Sequence, residues 1–270
     1  MISMIRPQVQ NYVRKSSFGF SVEKMPQEGI PSDFFLELPE RFSAAEIPAY
    51  LTENQILVEG LSPVHACSLI EPGLLDNLSM SFPGLVRECI LGINRMIESL
   101  AQKKIFSGVL NFDLNSLLAP EREKLYLTII KGLAYNLERF GFTLLIPFAI
   151  PAASPEIVRQ VPVFLRKTLL PWVKLRLDVH AHELVPGFSP ETLAGGMFTE
   201  IRSIRFLYLA DTGNVLIPEH ILPWIAALGK YGFRGPCFFA PMASSLNGLP
   251  AWVSANETLV STLEKEPGVS

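Results

Sequence analysis

Cysteine is scarce in this chain. Its three copies, Cys67, Cys89 and Cys237, lie far apart and form no C-x-x-C pair. Such a set excludes a disulfide framework and a structural zinc site. It fits buried or half-buried free thiols in a reducing cytoplasm. Charge is sparse too, at 18% of residues, and 23 Lys and Arg against 26 Asp and Glu give a net charge of −3. No block of like charge occurs, and the Lys103–Lys104 pair reads as a solvated helix end. Binding to a phosphate backbone by counterion release wants a basic face, so no nucleic-acid partner is expected. Long apolar runs are missing as well. The most apolar stretch, Leu144–Ala153, is broken by Pro147 and Pro151 and is too short to span a bilayer. The opening M-I-S-M-I-R-P carries no apolar segment of signal-peptide length. The expectation is a cytoplasmic protein with no membrane contact.

What the chain does have is a core. Its 270 residues are 49% hydrophobic, ample for one large domain. After an N-terminal arm over residues 1–14, short strands are expected at Ser17–Glu23 and Asp33–Leu38. The turn-rich Met25–Pro31 between them is too short for a crossover helix. A short helix fits Ser43–Leu51. Strands then alternate with helices. Strands are expected at Val64–Leu69, Ile105–Phe112, Phe142–Phe148, Val173–Val179, Ile204–Ala210 and Pro236–Phe239. Helices are expected at Pro83–Lys103, Pro120–Phe140, Pro155–Leu170, Pro190–Ile201, Pro218–Tyr231 and Pro250–Lys265. Ile90, Ile93, Ile97 and Leu100 repeat at helical spacing. Pro120 suits a first turn and Gly141 a helix end, while Pro162 must kink or split its helix. About eight strands, most followed by a helix, imply a parallel sheet. The fold class is α/β, and the count fits a single (β/α)8 TIM barrel over 1–270 with an abbreviated first βα unit.

Only four histidines occur, and two fall in Leu175–Glu183, L-R-L-D-V-H-A-H-E. On a strand, residues two apart share a face. Arg176, Asp178, His180 and His182 therefore share one, and Leu177, Val179 and Ala181 the other. Active sites of such barrels sit at the C-terminal strand ends. The other ends offer Glu37, His65, Asn111 with Asp113, and Tyr208 with Asp211. Asp113 and Asp211 also read as N-cap or Asx-turn residues. His65 alone also reads as a hydrogen-bonded structural histidine, and His220 as a surface residue. His and Asp groups converging from several strands suit a divalent ion that polarises a carbonyl. His180 and Asp178 are the candidates for proton transfer.

Several stretches resemble the xylose isomerase-like TIM barrels, a superfamily of sugar isomerases, sugar epimerases and endonuclease IV. V-H-A-C-S-L-I-E-P-G-L-L-D-N-L-S (Val64–Ser79) is similar to the third-strand H-x-x-x-L-x-N-L pattern. L-N-F-D resembles the fourth-strand end, L-R-L-D-V-H-A-H the sixth-strand D-x-x-H pattern, and L-Y-L-A-D the seventh-strand H-x-x-D pattern. The likeness in element order runs from about Ser17 to Lys265. It implies a metal on His65, Asp113, Asp178 and Asp211, with zinc, manganese or magnesium as the ion. Departures accompany it. Asp113 and Tyr208 stand where the family has histidines. Ala181 stands three after Asp178, flanked by His180 and His182. The two family glutamates that bind metal and move the proton, on strands five and eight, align with Pro147 and Ala240.

Two functions follow. The first is a sugar or sugar-phosphate isomerase or epimerase with a depleted metal site, transferring a proton alpha to a carbonyl. His180 and Asp178 would then be catalytic, and His65, Glu37, Asn111, Tyr208 and His182 would meet the substrate. The second is a barrel without the metal-dependent activity that binds a sugar-like small molecule or a partner. A DNA-repair nuclease is disfavoured by the acidic balance. The oligomeric state is not legible.

Overall fold

The computed structural model describes residues 18–21, 35–38, 64–70, 74–150, 155–180, 193, 197–208, 210–211, 214–215, 231, 233 and 237–241. The N-terminal arm, the short first βα connection, and the helices expected at 43–51, 218–230 and 250–265 lie outside them, as do His182 and His220. The strands are β1 (Phe18–Ser21), β2 (Phe35–Leu38), β3 (Val64–Ser68), β4 (Ser107–Val109), β5 (Thr143–Ile150), β6 (Val173–His180), β7 (Ile201–Tyr208), β8 (Ala210–Asp211), β9 (Asn214–Val215) and β10 (Cys237–Pro241). The helices are α1 (Pro83–Gln102), α2 (Pro120–Phe140) and α3 (Pro155–Thr168). Seven of these strands run parallel to their neighbours in the order β10-β7-β6-β5-β4-β3-β2, and β1 hydrogen-bonds in parallel to both β10 and β2. β8 and β9 form a separate antiparallel pair. Among the described residues no helix is long and apolar enough to cross a membrane.

Helical periodicity builds the outer layer. Val86, Ile93, Ile97 and Leu100 of α1 are buried, as are Leu125, Tyr126, Ile129, Ile130, Leu133 and Leu137 of α2. The two helices meet where Gly132 leaves room for Ile90; a Cβ there would stand 2.8 Å from Ile90 Cγ2. Asn94 Nδ2 donates across this contact to the Gly132 carbonyl (3.1 Å). Pro120 opens α2, and Gly141 closes it with φ 60°, a left-handed cap that glycine adopts without steric cost. Pro162 lies inside α3 without ending it.

Strand β6 is buried on both faces along most of its length, as parallel strands usually are, and β5 is buried toward the helices and half-buried at Pro147 and Ala149. Leu144, Ile146, Phe148 and Ile150 join Leu175, Leu177 and Val179 in the core under the helices. The opposite, inner face carries Leu145, Pro147 and Ala149 on β5, in register with Lys174, Arg176 and Asp178 on β6. Leu145 packs there with Val109, apart from the main core.

Two elements depart from the sequence expectation. β4 ends at Val109, three residues short of Phe112. Phe112 N–H turns back to the Leu110 carbonyl (3.0 Å), and its ring stacks on Tyr126 at 4.2 Å. The chain then enters a 3-10 turn at Leu114–Leu118. β7 begins at Ile201, three residues early, and its register against β6 shifts between Leu175 and Arg176. Leu175 opposes Ile201, whereas Arg176 opposes Ser203. Arg202, the extra residue, is exposed. This is a β-bulge, which re-aims the residues after it.

Leu169, between α3 and β6, is 84% exposed and sits at φ 58°. A branched residue held in this left-handed region costs roughly 1–2 kcal/mol. Leu169→Gly is therefore expected to raise unfolding free energy by about 1 kcal/mol. A urea midpoint unchanged or lowered would contradict this.

Candidate functional site

The inner face of β6 and β7 carries charge in a place where sheets are usually apolar. Arg176, Asp178 and His180 alternate along β6, and the bulge brings Ser203, Arg205 and Leu207 of β7 into register with them. Arg176 donates from Nε to Asp178 Oδ1 (2.9 Å) and from Nη2 to Oδ2 (3.0 Å). Arg205 repeats this fork from the next strand, with Nε to Oδ1 at 3.1 Å and Nη2 to Oδ2 at 2.7 Å. Each carboxylate oxygen thus accepts from both guanidiniums, the paired geometry that arginine favours. The Arg176 side chain is 4% exposed and that of Asp178 6%, whereas Arg205 keeps 21%.

Burial pushes the Asp178 carboxyl up. The charges of Arg176 and Arg205, with their hydrogen bonds, outweigh it and hold the group below the ordinary carboxylate range. Asp178 is therefore an anion at neutral pH. His180 caps the row, half-buried and opposite Leu207. The Ser203 hydroxyl, opposite Arg176, is fully buried and has no hydrogen-bond partner among the described residues.

The next loops are held by their own contacts. Asp113 is exposed, and its side chain accepts from Asn115 N–H at 3.0 Å, capping the 3-10 turn. This one bond is both the N-cap and the Asx-turn read from sequence. Asn111 is half-buried beyond β4. Arg122 of α2 gathers the loop after β3: Nη1 donates to the carbonyls of Leu75 (3.2 Å) and Leu78 (3.1 Å), and Nη2 to that of Asp76 (2.6 Å). Glu37, His65, Tyr208 and Asp211 fall in β2, β3, β7 and β8, but their side chains lie outside the described residues. The site thus brings together Asp178 and His180 from the expected set and adds Arg176, Ser203 and Arg205. Arg176 is the one addition that sequence already put on the same face. Arg205 lies mid-strand, away from the strand ends where polar groups were sought.

A divalent ion fits Asp178 poorly. Both of its oxygens are committed to cations, and two guanidiniums already surround one carboxylate. An ion there would have to displace an arginine and sit beside it. Among the described residues no group of three or more His, Cys, Asp or Glu is placed to hold a metal.

No protein-family model matches the sequence, and no curated protein does. Solved structures do match in shape. The apo 3-keto-D-glucoside 4-epimerase YcjR of E. coli superposes with a TM-score of 0.63 at 14% identity, over 92% of this chain and 100% of that one. A xylose isomerase domain protein from Planctomyces limnophilus gives 0.60 at 13% identity, over 93% and 98%. An IolI protein with a bound zinc atom gives 0.59 at 15%, over 88% and 91%. The chain therefore has the fold of the xylose isomerase-like TIM barrels. Several of the structures it resembles are named as sugar epimerases or isomerases.

Proposed function

We propose that the chain is a single-domain, complete (β/α)8 barrel that binds a small sugar-like molecule at the C-terminal mouth of β4–β7, without a divalent ion on Asp178. The parallel strand order that returns to β1 supports the full barrel. The sugar epimerases and isomerases of like fold support the ligand class. The single observation behind the metal-free reading is the double guanidinium fork on Asp178. Asp178 is then a strut that fixes two arginines, and His180, Asn111 and Arg205 meet the ligand. Glu37, His65, Tyr208 and His182 are the further candidates for ligand contact. β5 offers it only Leu145, Pro147 and Ala149 on the inner face, so metal-assisted proton transfer by a fifth-strand glutamate has no counterpart.

A second reading keeps chemistry. His180 stands at the end of β6, half-buried and on the face of the Asp178 network. An imidazole there is suited to move a proton alpha to a carbonyl without metal.

Elemental analysis of the purified protein tests the first point. Less than about one tenth of an equivalent of zinc, manganese or magnesium is expected, with no thermal stabilisation when each is added. A stoichiometric ion lost on Asp178→Asn would overturn the strut. A keto-sugar panel separates the two readings: epimerisation abolished by His180→Ala would establish the second, and binding without turnover the first.

A further inference from the structure

We infer that the outer face of α1 and α2 is an interface between two copies of the chain, which pair there about a two-fold axis with their α1 helices antiparallel.

Exposure marks the face. Tyr135 of α2 is 72% exposed and Leu91 of α1 47%, large apolar surfaces left in water on the outside of the helix layer. On α1, Gly84, Glu88, Leu91 and Arg95 follow at steps of four, three and four residues, so they share one stripe, and all are exposed. On α2, Lys131 and Tyr135 lie one turn apart and both are exposed. Glu88, Arg95 and Lys131 enter no ion pair among the described residues.

Charge then selects the occupant and its orientation. Parallel pairing of two α1 helices would set Glu88 on Glu88 and Arg95 on Arg95. Antiparallel pairing about a point between Leu91 and Gly92 sets Glu88 on the partner's Arg95, Arg95 on the partner's Glu88, and Leu91 on its own copy. An isologous contact repeats each such pair twice. The second helix obeys the same axis. Lys131 and Tyr135 straddle Leu133. Its neighbour Gly132 packs against Ile90 and accepts from Asn94 Nδ2 at 3.1 Å, so this point stands level with the centre of the α1 stripe. The same rotation therefore brings each Lys131 ammonium to the partner's Tyr135 ring, a cation–π pairing. Gly92 fits this arrangement too. A Cβ there would meet nothing inside the chain, so the fold does not require the glycine, although glycine weakens a helix interior. Close approach of a second helix gives it a reason. The size is also sufficient. Helices of 20 and 21 residues, about 30 Å long and about 10 Å apart, present a face of the order of 600 Å² in plan, comparable with the ~800 Å² each partner buries in a stable interface.

Sedimentation of the full chain over a dilution series tests this, with a dimer expected at micromolar concentration. Glu88→Arg alone and Arg95→Glu alone each set like charges across the axis, and each is expected to weaken the dimer at least about tenfold. Mixed in equal amounts, the two variants restore both opposite-charge pairs, and the mixture is expected to dimerise within about threefold of the unaltered chain. Gly92→Leu, whose Cβ meets nothing inside the chain, is expected to give a folded monomer. A monomer at every concentration overturns the interface, as does a dimer that neither single variant weakens. Weakened single variants whose mixture stays monomeric overturn the antiparallel pairing.

Discussion

Asp178→Ala is expected to lower the unfolding free energy by about 3–5 kcal/mol, the usual cost of removing one partner from a buried charge network. The variant leaves Arg176 and Arg205 facing each other, the first 4% exposed, with their shared anion gone. A urea series reads the loss directly, and a midpoint within error of the parent chain would sink the strut. The triple variant Arg176→Met, Asp178→Leu, Arg205→Met is expected to recover most of the loss, because it removes the desolvation cost along with the attraction. The network also has a pH signature. Asp178 titrates lower in the folded state than its value of about 3.9 when unfolded. Its contribution is therefore whole above that unfolded value. It fades as pH falls through the lower folded one. Asp178→Asn should flatten that part of the acid limb of the stability profile, and an unchanged limb would assign the acid transition to other carboxylates.

Tyr126→Ala comes next in size, at about 3–5 kcal/mol. Tyr126 is fully buried on α2, its ring stacks on Phe112 at 4.2 Å, and its hydroxyl lies 2.9 Å from Ser116 Oγ. Burial pushes the phenol above its ordinary pKa, so it stays protonated. Through Phe112 and Ser116 it pins the loop that follows β4, where Asn111 and Asp113 sit. Tyr126→Phe keeps the stack and loses only the hydroxyl contact, at about 1 kcal/mol. Denaturation of the two variants side by side separates packing from hydrogen bonding. A Phe variant as damaged as the Ala variant would assign the site to the polar contact alone.

Much of the fold can be read in the sequence because local rules and tertiary packing agree there. The helical spacing of α1, the proline that opens α2, the glycine that closes it and the apolar runs of β5 and β6 each point the same way. The reading loses its grip where a tertiary contact decides. V-L-N-F-D alternates like a strand, yet the stacking of Phe112 on Tyr126 takes the chain out of the sheet after Val109. Asn111 and Asp113 then no longer share a strand face. For the candidate site, Asp178 and His180 stand out by residue type, but their company does not. Arg205 hides mid-strand in an apolar segment, in a stretch that begins as the expected end of a helix. The usable clue is an arginine in the middle of each of two apolar parallel strands, since a buried guanidinium calls for a carboxylate.

The bulge at Arg202 gives the site an unusual kind of address. Arg205 faces Asp178 because Arg202 stays unpaired in the bulge instead of opposing Arg176, which would put Ile204 opposite Asp178. Removing that residue would restore regular alternation with Arg205 still facing Asp178, whereas one residue inserted after Ser203 would turn Arg205 toward the helices without altering any side chain of the network. The charge on this strand face is thus encoded by chain length as much as by composition. In β7 a single inserted residue would then take a charge off the inner face, an effect that otherwise requires replacing Arg205 itself.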